Sequence, residues 1–454
     1  MFISQYFYFL IAKPSSSRLR LRVFQLAAVI FFTVSGGPYG IEPLFSYAGK
    51  NASLILLMVI PILWDVPAIL AVLELNGMMP LNGGYYQWVK RALGIRWAFY
   101  EGYWTWLYTF VDLAIYPVLF VEYASFFFPE FHVYKIPVCL CIIWASALLN
   151  IFGIVPVGKI SMGLGVVVLS PFVILCCMVL LGPAGSQPIP ALSLKGVGFS
   201  SLGMGIYTVM WNFFGWDNAS TYAGEVERPI RSYIVSCTLA FITIYVMYLV
   251  TSIAVIRSGI DFKHLGEEGF PILGTILKHQ WLAAILAIGG MASATGLFSA
   301  VLLSVSRVPK VMADDGLLPQ KFNALHPRFK TPYVSIIVSA AIVSIMIMFT
   351  FTDLIIMDVT LYGAGLFLEY ISLIVLRIKA PGEYRPFRIP LPVPAICILF
   401  ILACCVYIIG LSGAFSESGR TLIPAAAALA ALASGELAWQ IIVARKNRKS
   451  HAGE

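Results

Sequence analysis

The sequence predicts an all-α integral membrane protein of about twelve transmembrane helices, arranged as a five-plus-five inverted repeat with its first and sixth helices broken. Three observations predict it. The 454 residues are 60% hydrophobic and only 11% charged, the balance of a chain embedded in lipid rather than of a soluble enzyme with an anchor. Apolar runs of about 20 residues, the length that crosses a hydrocarbon core, recur along the chain with only short polar links. Two of those runs are interrupted in the middle by residues that do not continue a helix.

The spans fall at 23–49, 52–77, 97–127, 137–153, 160–182, 199–224, 232–256, 281–306, 332–351, 354–376, 391–412 and 421–444. Residues 1–22 form a cytoplasmic N-terminal segment. Its first twelve residues are apolar, yet they lack the charge and cleavage site of a signal peptide, and they read as an interfacial segment or a misplaced start. Residues 23–256 carry the first repeat and the beginning of the second, and 257–378 carry the remainder of the second. Residues 379–444 hold the last two spans and 445–454 the cytoplasmic tail. The loop 307–331 is basic and punctuated by Pro309, Gly316, Pro319 and Pro327. It is expected to run along the cytoplasmic surface with a short interfacial helix, or to be a plain connector.

The first break is Ser35-Gly36-Gly37-Pro38-Tyr39-Gly40, and the sixth span breaks around Asn212-Phe213-Phe214-Gly215-Trp216-Asp217-Asn218. Non-helical backbone at bilayer depth is tolerated only where it lines a cavity. Breaks five helices apart match an inverted repeat with a substrate site at its centre. Basic residues then orient the chain. With the N-terminus inside, 23 of the 30 Lys and Arg fall on the cytoplasmic side, which makes this a multi-pass protein of the cell membrane with both termini cytoplasmic. The net charge of +8 therefore reflects topology and implies no nucleic acid.

Eight cysteines lie within spans without metal or redox spacing, and five histidines lie in loops. No metal, cofactor or enzymatic activity is expected. The spans do contain ten acids (Glu42, Asp65, Glu74, Glu101, Asp112, Glu122, Asp217, Asp358, Glu369 and Glu436), and as drawn they contain no lysine or arginine. A carboxylate at that depth costs several kcal/mol unless paired, hydrated or protonated, so the natural partners are protons or a positively charged solute.

Asp217 sits in the sixth-span break beside Trp216, with Trp211 and Asn212 about a turn earlier. A carboxylate and aromatic faces are what an ammonium requires, although aspartate also suits the N-cap of a following half-helix. Asp112 and Tyr116 share a helical face, with Glu101 about three turns away on nearly the same stripe. That stripe suits a file of positive charges, or buried hydrogen bonds to neighbouring helices. Glu369 follows Asp358 on a common face. Glu42 begins the outer half of the first span, where the helix dipole also favours an acid. Glu74 precedes Gly77, Pro80, Gly83 and Gly84 and suits a structural or gating role. Glu436 is set aside as a site residue.

These residues carry a resemblance. Val34 to Glu42, Glu74 with Asn82-Gly83-Gly84-Tyr85, Asp112 to Phe120, Trp216-Asp217 with Ala223 to Val226, and Ser306 to Pro319 resemble the amino acid–polyamine–organocation superfamily. Within it they look like the polyamine–proton symporters of plants and trypanosomatids. The resemblance covers about residues 23 to 390. It implies a LeuT-like fold, alternating access, and a site between the first, third, sixth, eighth and tenth spans. It would assign amine contacts to Asp112, Tyr116, Trp216, Asp217 and Glu369. The breaks themselves add Gly36, Gly37, Tyr39, Trp211 and Asn212 as substrate-binding candidates. Amino acid carriers of this superfamily commonly offer free N–H groups in the first break to a carboxylate. Here Pro38 removes one donor and Glu42 adds a negative charge, which favours amines.

The expected function is a proton-coupled secondary transporter of polyamines or other cationic amines, with Glu42 and Glu369 as the proton-coupling candidates. An amino acid permease or exchanger of the same superfamily is the near alternative, and a membrane sensor on a transporter scaffold is the distant one.

Overall fold

The computed structural model describes residues 20–182, 187–189, 191–348, 351–415 and 422–452. The N-terminal segment up to residue 19 and the last two residues of the tail lie outside the described residues.

Among the described residues sixteen α-helices follow one another: α1 Val23–Val34, α2 Glu42–Met78, α3 Gly84–Leu93, α4 Ile95–Ala124, α5 Lys135–Phe152, α6 Ile154–Leu180, α7 Phe199–Trp211 and α8 Pro229–Ser258. The series continues with α9 Phe262–Glu268, α10 Pro271–Ile276, α11 Gln280–Val305, α12 Val308–Asp314, α13 Tyr333–Met346, α14 Phe351–Lys379, α15 Val393–Phe415 and α16 Leu422–Ala452. Among the described residues nine helices are long and apolar enough to cross a membrane, and α1 and α13 are shorter apolar helices. The outward faces carry Leu148, Val166, Val173, Ile398 and Ile401 exposed, the apolar coat that lipid requires of a bundle.

The bundle is organised around α4, which packs against α11 on one side and α14 on the other. Around it α1 lies on α6 and α8, and α7 lies between α2 and α15. The chain leaves helix at Val34 and re-enters it at Glu42. The expected boundary between the first two spans is a bend at Gly49 (φ 64°) inside α2, so one element carries both Glu42 and Glu74. Ser53 Oγ donates to Gly49 O at 2.5 Å and satisfies a carbonyl that the bend frees.

Two expectations are corrected. Beyond the sixth-span break no α-helical half follows; the chain runs through two short 3₁₀ turns, Asn218–Thr221 and Ala223–Glu225. The short helix expected in loop 307–331 is present as α12, with Val308, Val311, Met312 and Ala313 buried and Asp314 exposed. A Cβ at Gly102 of α4 would lie 2.8 Å from the Met312 sulfur, so α12 is wedged against the bundle. Finally, the acids are not all without bases. Arg377 Nε donates to Glu74 Oε1 at 2.7 Å, Arg377 Nη2 also bonds Glu74, Arg385 Nε lies 3.2 Å away, and Ile389 N donates at 2.8 Å. Arg377 stands just past the apolar run, and its long side chain reaches back to the buried acid. Glu436 likewise pairs with Arg96 at 2.8 Å.

Candidate functional site

The two breaks meet, and side chains stitch them together. Gly36, Gly37 and Gly40 have φ of 65°, 99° and 89°, a region that L side chains rarely adopt. A Cβ at Gly37 would come within 2.5 Å of Val168. Asn212 at the end of α7 donates from Nδ2 to Gly40 O at 3.2 Å. The Tyr248 hydroxyl of α8 stands 2.7 Å from Gly37 O, 2.8 Å from Asn212 Oδ1 and 3.0 Å from Ser35 Oγ, so one phenol ties both breaks. A Cβ at Gly215 (φ 97°) would sit 3.0 Å from Thr33 O, which places the second break directly on the end of α1.

Asp217 lies beside this joint and is buried at 3% exposure. Tyr362 of α14 donates to its Oδ1 at 2.8 Å and accepts from Gly215 N at 3.1 Å. Three rings wall the position: Tyr108 and Tyr362 meet edge-on with centroids 5.4 Å apart, and Phe214 lies 4.5 Å from Tyr362. Tyr108 also donates to Asn218 Oδ1 at 2.9 Å. Glu101 and Glu369 are electrostatic neighbours of Asp217. Thr105 donates to Glu101 Oε1 at 3.3 Å, while Glu101 Oε2 and both Glu369 oxygens are buried without a hydrogen-bond donor. Among the described residues no Lys, Arg or His forms an ion pair with Asp217, Glu101, Glu369, Asp112 or Asp358. Carboxylates and aromatic faces with no resident cation form an arrangement that can hold an ammonium.

The other nominated residues divide between this centre and its surroundings. Tyr116 donates to Asp112 one turn away, and the Trp211 indole faces both Asp112 and Asp358. A Cβ at Gly40 would touch Trp211 at 2.5 Å, so Trp211 bridges the first break to the acids of α4 and α14. Trp216 turns the other way, against Phe241 at 5.9 Å and facing Asp65. Tyr39 points into a different layer, donating to Leu286 O at 2.7 Å and packing on Tyr123, Phe172 and Phe270. Glu42 accepts from Gly40 N at 2.6 Å and from Tyr123 at 2.5 Å. It borders an open cavity of about 450 Å³ with Glu122, His132, Gly269 and Pro271.

A separate set of bonds ties the start of α1 and the loop before α3 to the segment after the second break. Leu21 N donates to Glu225 O at 3.0 Å, Gly83 N to Thr221 O at 2.7 Å, and Arg307 grips Glu225 through two bonds of 3.0 and 3.1 Å. Lys90 and Tyr86 both hold Asp315, at 2.6 Å each.

Tyr108, Phe214, Tyr248 and Tyr362 were not singled out in the sequence. For two of them the signal existed: Tyr108 lies four residues before Asp112, and Tyr362 lies four after Asp358 and seven before Glu369, so each shares the acids' helical face.

The amino acid permease family profile matches residues 21–432. A protein of Arabidopsis thaliana named polyamine transporter RMV1 is 32% identical over 380 residues, covering 82% of this chain and 76% of the relative. Polyamine transporter PUT1 of Oryza sativa subsp. japonica is 34% identical over 384 residues, 83% of this chain and 71% of the relative. The serine/threonine exchanger SteT of Bacillus subtilis (strain 168) is 22% identical over 421 residues, 88% of this chain and 90% of the relative. The profile match, spanning nearly the whole chain, and the two plant relatives together show that this chain belongs to the amino acid permease family of the amino acid–polyamine–organocation superfamily.

Proposed function

We propose that this protein is a proton-coupled secondary transporter of polyamines or other cationic amines, working by alternating access in the cell membrane with both termini cytoplasmic. Twelve crossings on a LeuT-like five-plus-five repeat fit the elements: α1 with the first arm of α2, then α7 with its 3₁₀ turns, supply the two broken helices. The plant relatives named as polyamine transporters support the substrate class.

One observation carries the preference for amines over amino acids. Five N–H groups of the first break are already taken. Ser35 and Gly36 donate to Phe31 O, Gly37 to Ser35 Oγ, Gly40 to Glu42 and Ile41 to Pro38 O, while Pro38 has no N–H. A substrate carboxylate would find few donors there, and Glu42 would repel it. On the other side of the joint, Asp217 with Tyr108, Phe214 and Tyr362 offers an ammonium its charge partner and ring faces worth about 0.5–2 kcal/mol each.

In this reading Asp217 pairs with the ammonium. Asp112, Tyr116, Trp211, Asn212 and Glu369 complete the charged and polar lining, with Gly36, Gly37 and Tyr39 shaping the first break, while Trp216 supports the second break from its far side. Glu42 and Glu369 are the acids nominated to carry the coupling proton. In this conformer Arg307 holds Glu225, and the cavity beside Glu42 is lined by neither Asp217 nor its ring wall of Tyr108, Phe214 and Tyr362.

The test is uptake of radiolabelled putrescine, spermidine, arginine and leucine into proteoliposomes under an imposed proton gradient. Putrescine or spermidine should accumulate, and leucine should not compete. Accumulation of leucine in preference to the amines would return the chain to the amino acid carriers. Dependence on sodium in place of the proton gradient would remove proton coupling.

A further inference from the structure

Asp112 on α4 and Asp358 on α14 meet carboxyl to carboxyl. Their side chains lie within hydrogen-bonding contact of each other, with the Trp211 indole facing both. Both are buried, at 2% and 0% exposure. Tyr116 already donates to one oxygen of Asp112, and the groups set toward Asp358 are the Asp112 carboxyl and the Trp211 N–H. The ionisable groups around the pair are Tyr108 and Tyr116 on the same face of α4, with Asp217 beyond Tyr108. Among the described residues no base pairs with either acid.

Two ionised carboxylates cannot occupy such a contact, because like charges at hydrogen-bond distance in a dry site repel too strongly for both to ionise. The contact becomes favourable once one carboxyl keeps its hydrogen and donates it to the other, leaving the pair with a single negative charge. We propose that Asp112 and Asp358 form one proton-binding site, a single proton held between two helices, and that this proton travels with the amine. The second half of that statement rests on the transport reading above; the first does not. The site goes beyond Glu42 and Glu369, and it gives Asp358 a role. It also links protonation to shape. With the proton present, α4 and α14 are clasped beside the amine position. Once it leaves to water, the two carboxylates repel and the helices part at that level.

The experiment uses the full chain, purified, with infrared difference spectroscopy of the carboxylic-acid C=O stretch through a pH titration without substrate. Asp112→Asn, Asp358→Asn and the double variant are each compared with wild type. An amide can donate to the remaining carboxylate in place of the shared proton, so each single variant should lose one protonated carboxyl, and the double variant should lose no more than either single. A double variant that loses twice the single-variant amplitude would mean two independent protonated acids, and no loss in any variant would mean two ionised ones; either overturns the pair. The two single variants test the same pair from opposite helices, so misfolding of one leaves the other decisive. In proteoliposomes, the slope of log KM for putrescine against pH should fall by one proton in Asp358→Asn relative to wild type, and an unchanged slope overturns the coupling role. If wild-type protein transports no putrescine, the transport reading falls, while the infrared arm still decides the shared proton.

Discussion

Replacing Tyr362 with phenylalanine removes one oxygen and keeps the ring. That oxygen makes two bonds, accepting from Gly215 N at 3.1 Å and donating to Asp217 Oδ1 at 2.8 Å. Both partners are buried, so neither gains water in compensation. A hydrogen bond to a charged group contributes about 1.5–3 kcal/mol, and an orphaned buried N–H costs about 1–3 kcal/mol. The first quantity bears on binding. Tyr362 holds the Asp217 carboxylate in one orientation, and without it the ammonium must order that carboxylate itself. At 1.4 kcal/mol per tenfold, KM for putrescine should rise by roughly ten- to a hundredfold. The second quantity bears on the fold and should lower thermal stability in detergent by about 1–3 kcal/mol. Tyr362→Leu should weaken binding further, because it also deletes a ring face worth about 0.5–2 kcal/mol to a cation. The assay is the concentration dependence of putrescine uptake in proteoliposomes, normalised to inserted protein. Unchanged KM in both variants would refute the placement of the ammonium beside Asp217 and its ring wall.

Asp217→Asn should lose most amine uptake while still reaching the membrane, because the amide keeps the shape but not the charge; uptake at the wild-type rate would remove Asp217 from the site. Gly37→Val should abolish transport, since its Cβ would lie 2.5 Å from Val168 at a φ of 99°; surface expression and uptake are measured together, and a normally transporting variant would show that the break tolerates a side chain. Glu74→Gln should act on the fold and not on substrate choice. It leaves the Arg377 guanidinium buried without its charge partner, a loss of about 3–5 kcal/mol by the usual cost of breaking such a pair, read as a lower melting temperature with an unaltered ranking of putrescine over leucine.

What the sequence determines by itself is local. A run of about 20 apolar residues has to be satisfied in lipid by its own backbone bonds, so the long helices are legible from composition alone. Gly36, Gly37 and Pro38 oppose helix by their own stereochemistry, and the chain leaves helix there, between Val34 and Glu42. The helical repeat also places Asp112 with Tyr116, and Asp358 with Glu369, on shared faces.

Which faces meet is decided only by the tertiary structure. Glu74 and Arg377 are 303 positions apart, and Tyr362 and Asp217 are 145 apart. The pattern of one helix fixes a stripe, but it does not fix the rotation of that stripe toward a neighbour. Packing sets the rotation through close contacts such as Gly40 against Trp211 and Gly102 against Met312. The same packing turns Tyr39 toward Leu286 and Trp216 toward Phe241, although both stand in the breaks beside residues that face the centre. It brings Tyr248 across to join the breaks, and it sets Asp112 against Asp358. Burial forces each polar group to find a partner, and the partner that is found depends on which helices can approach, a property of the assembled bundle that no single stretch of chain contains.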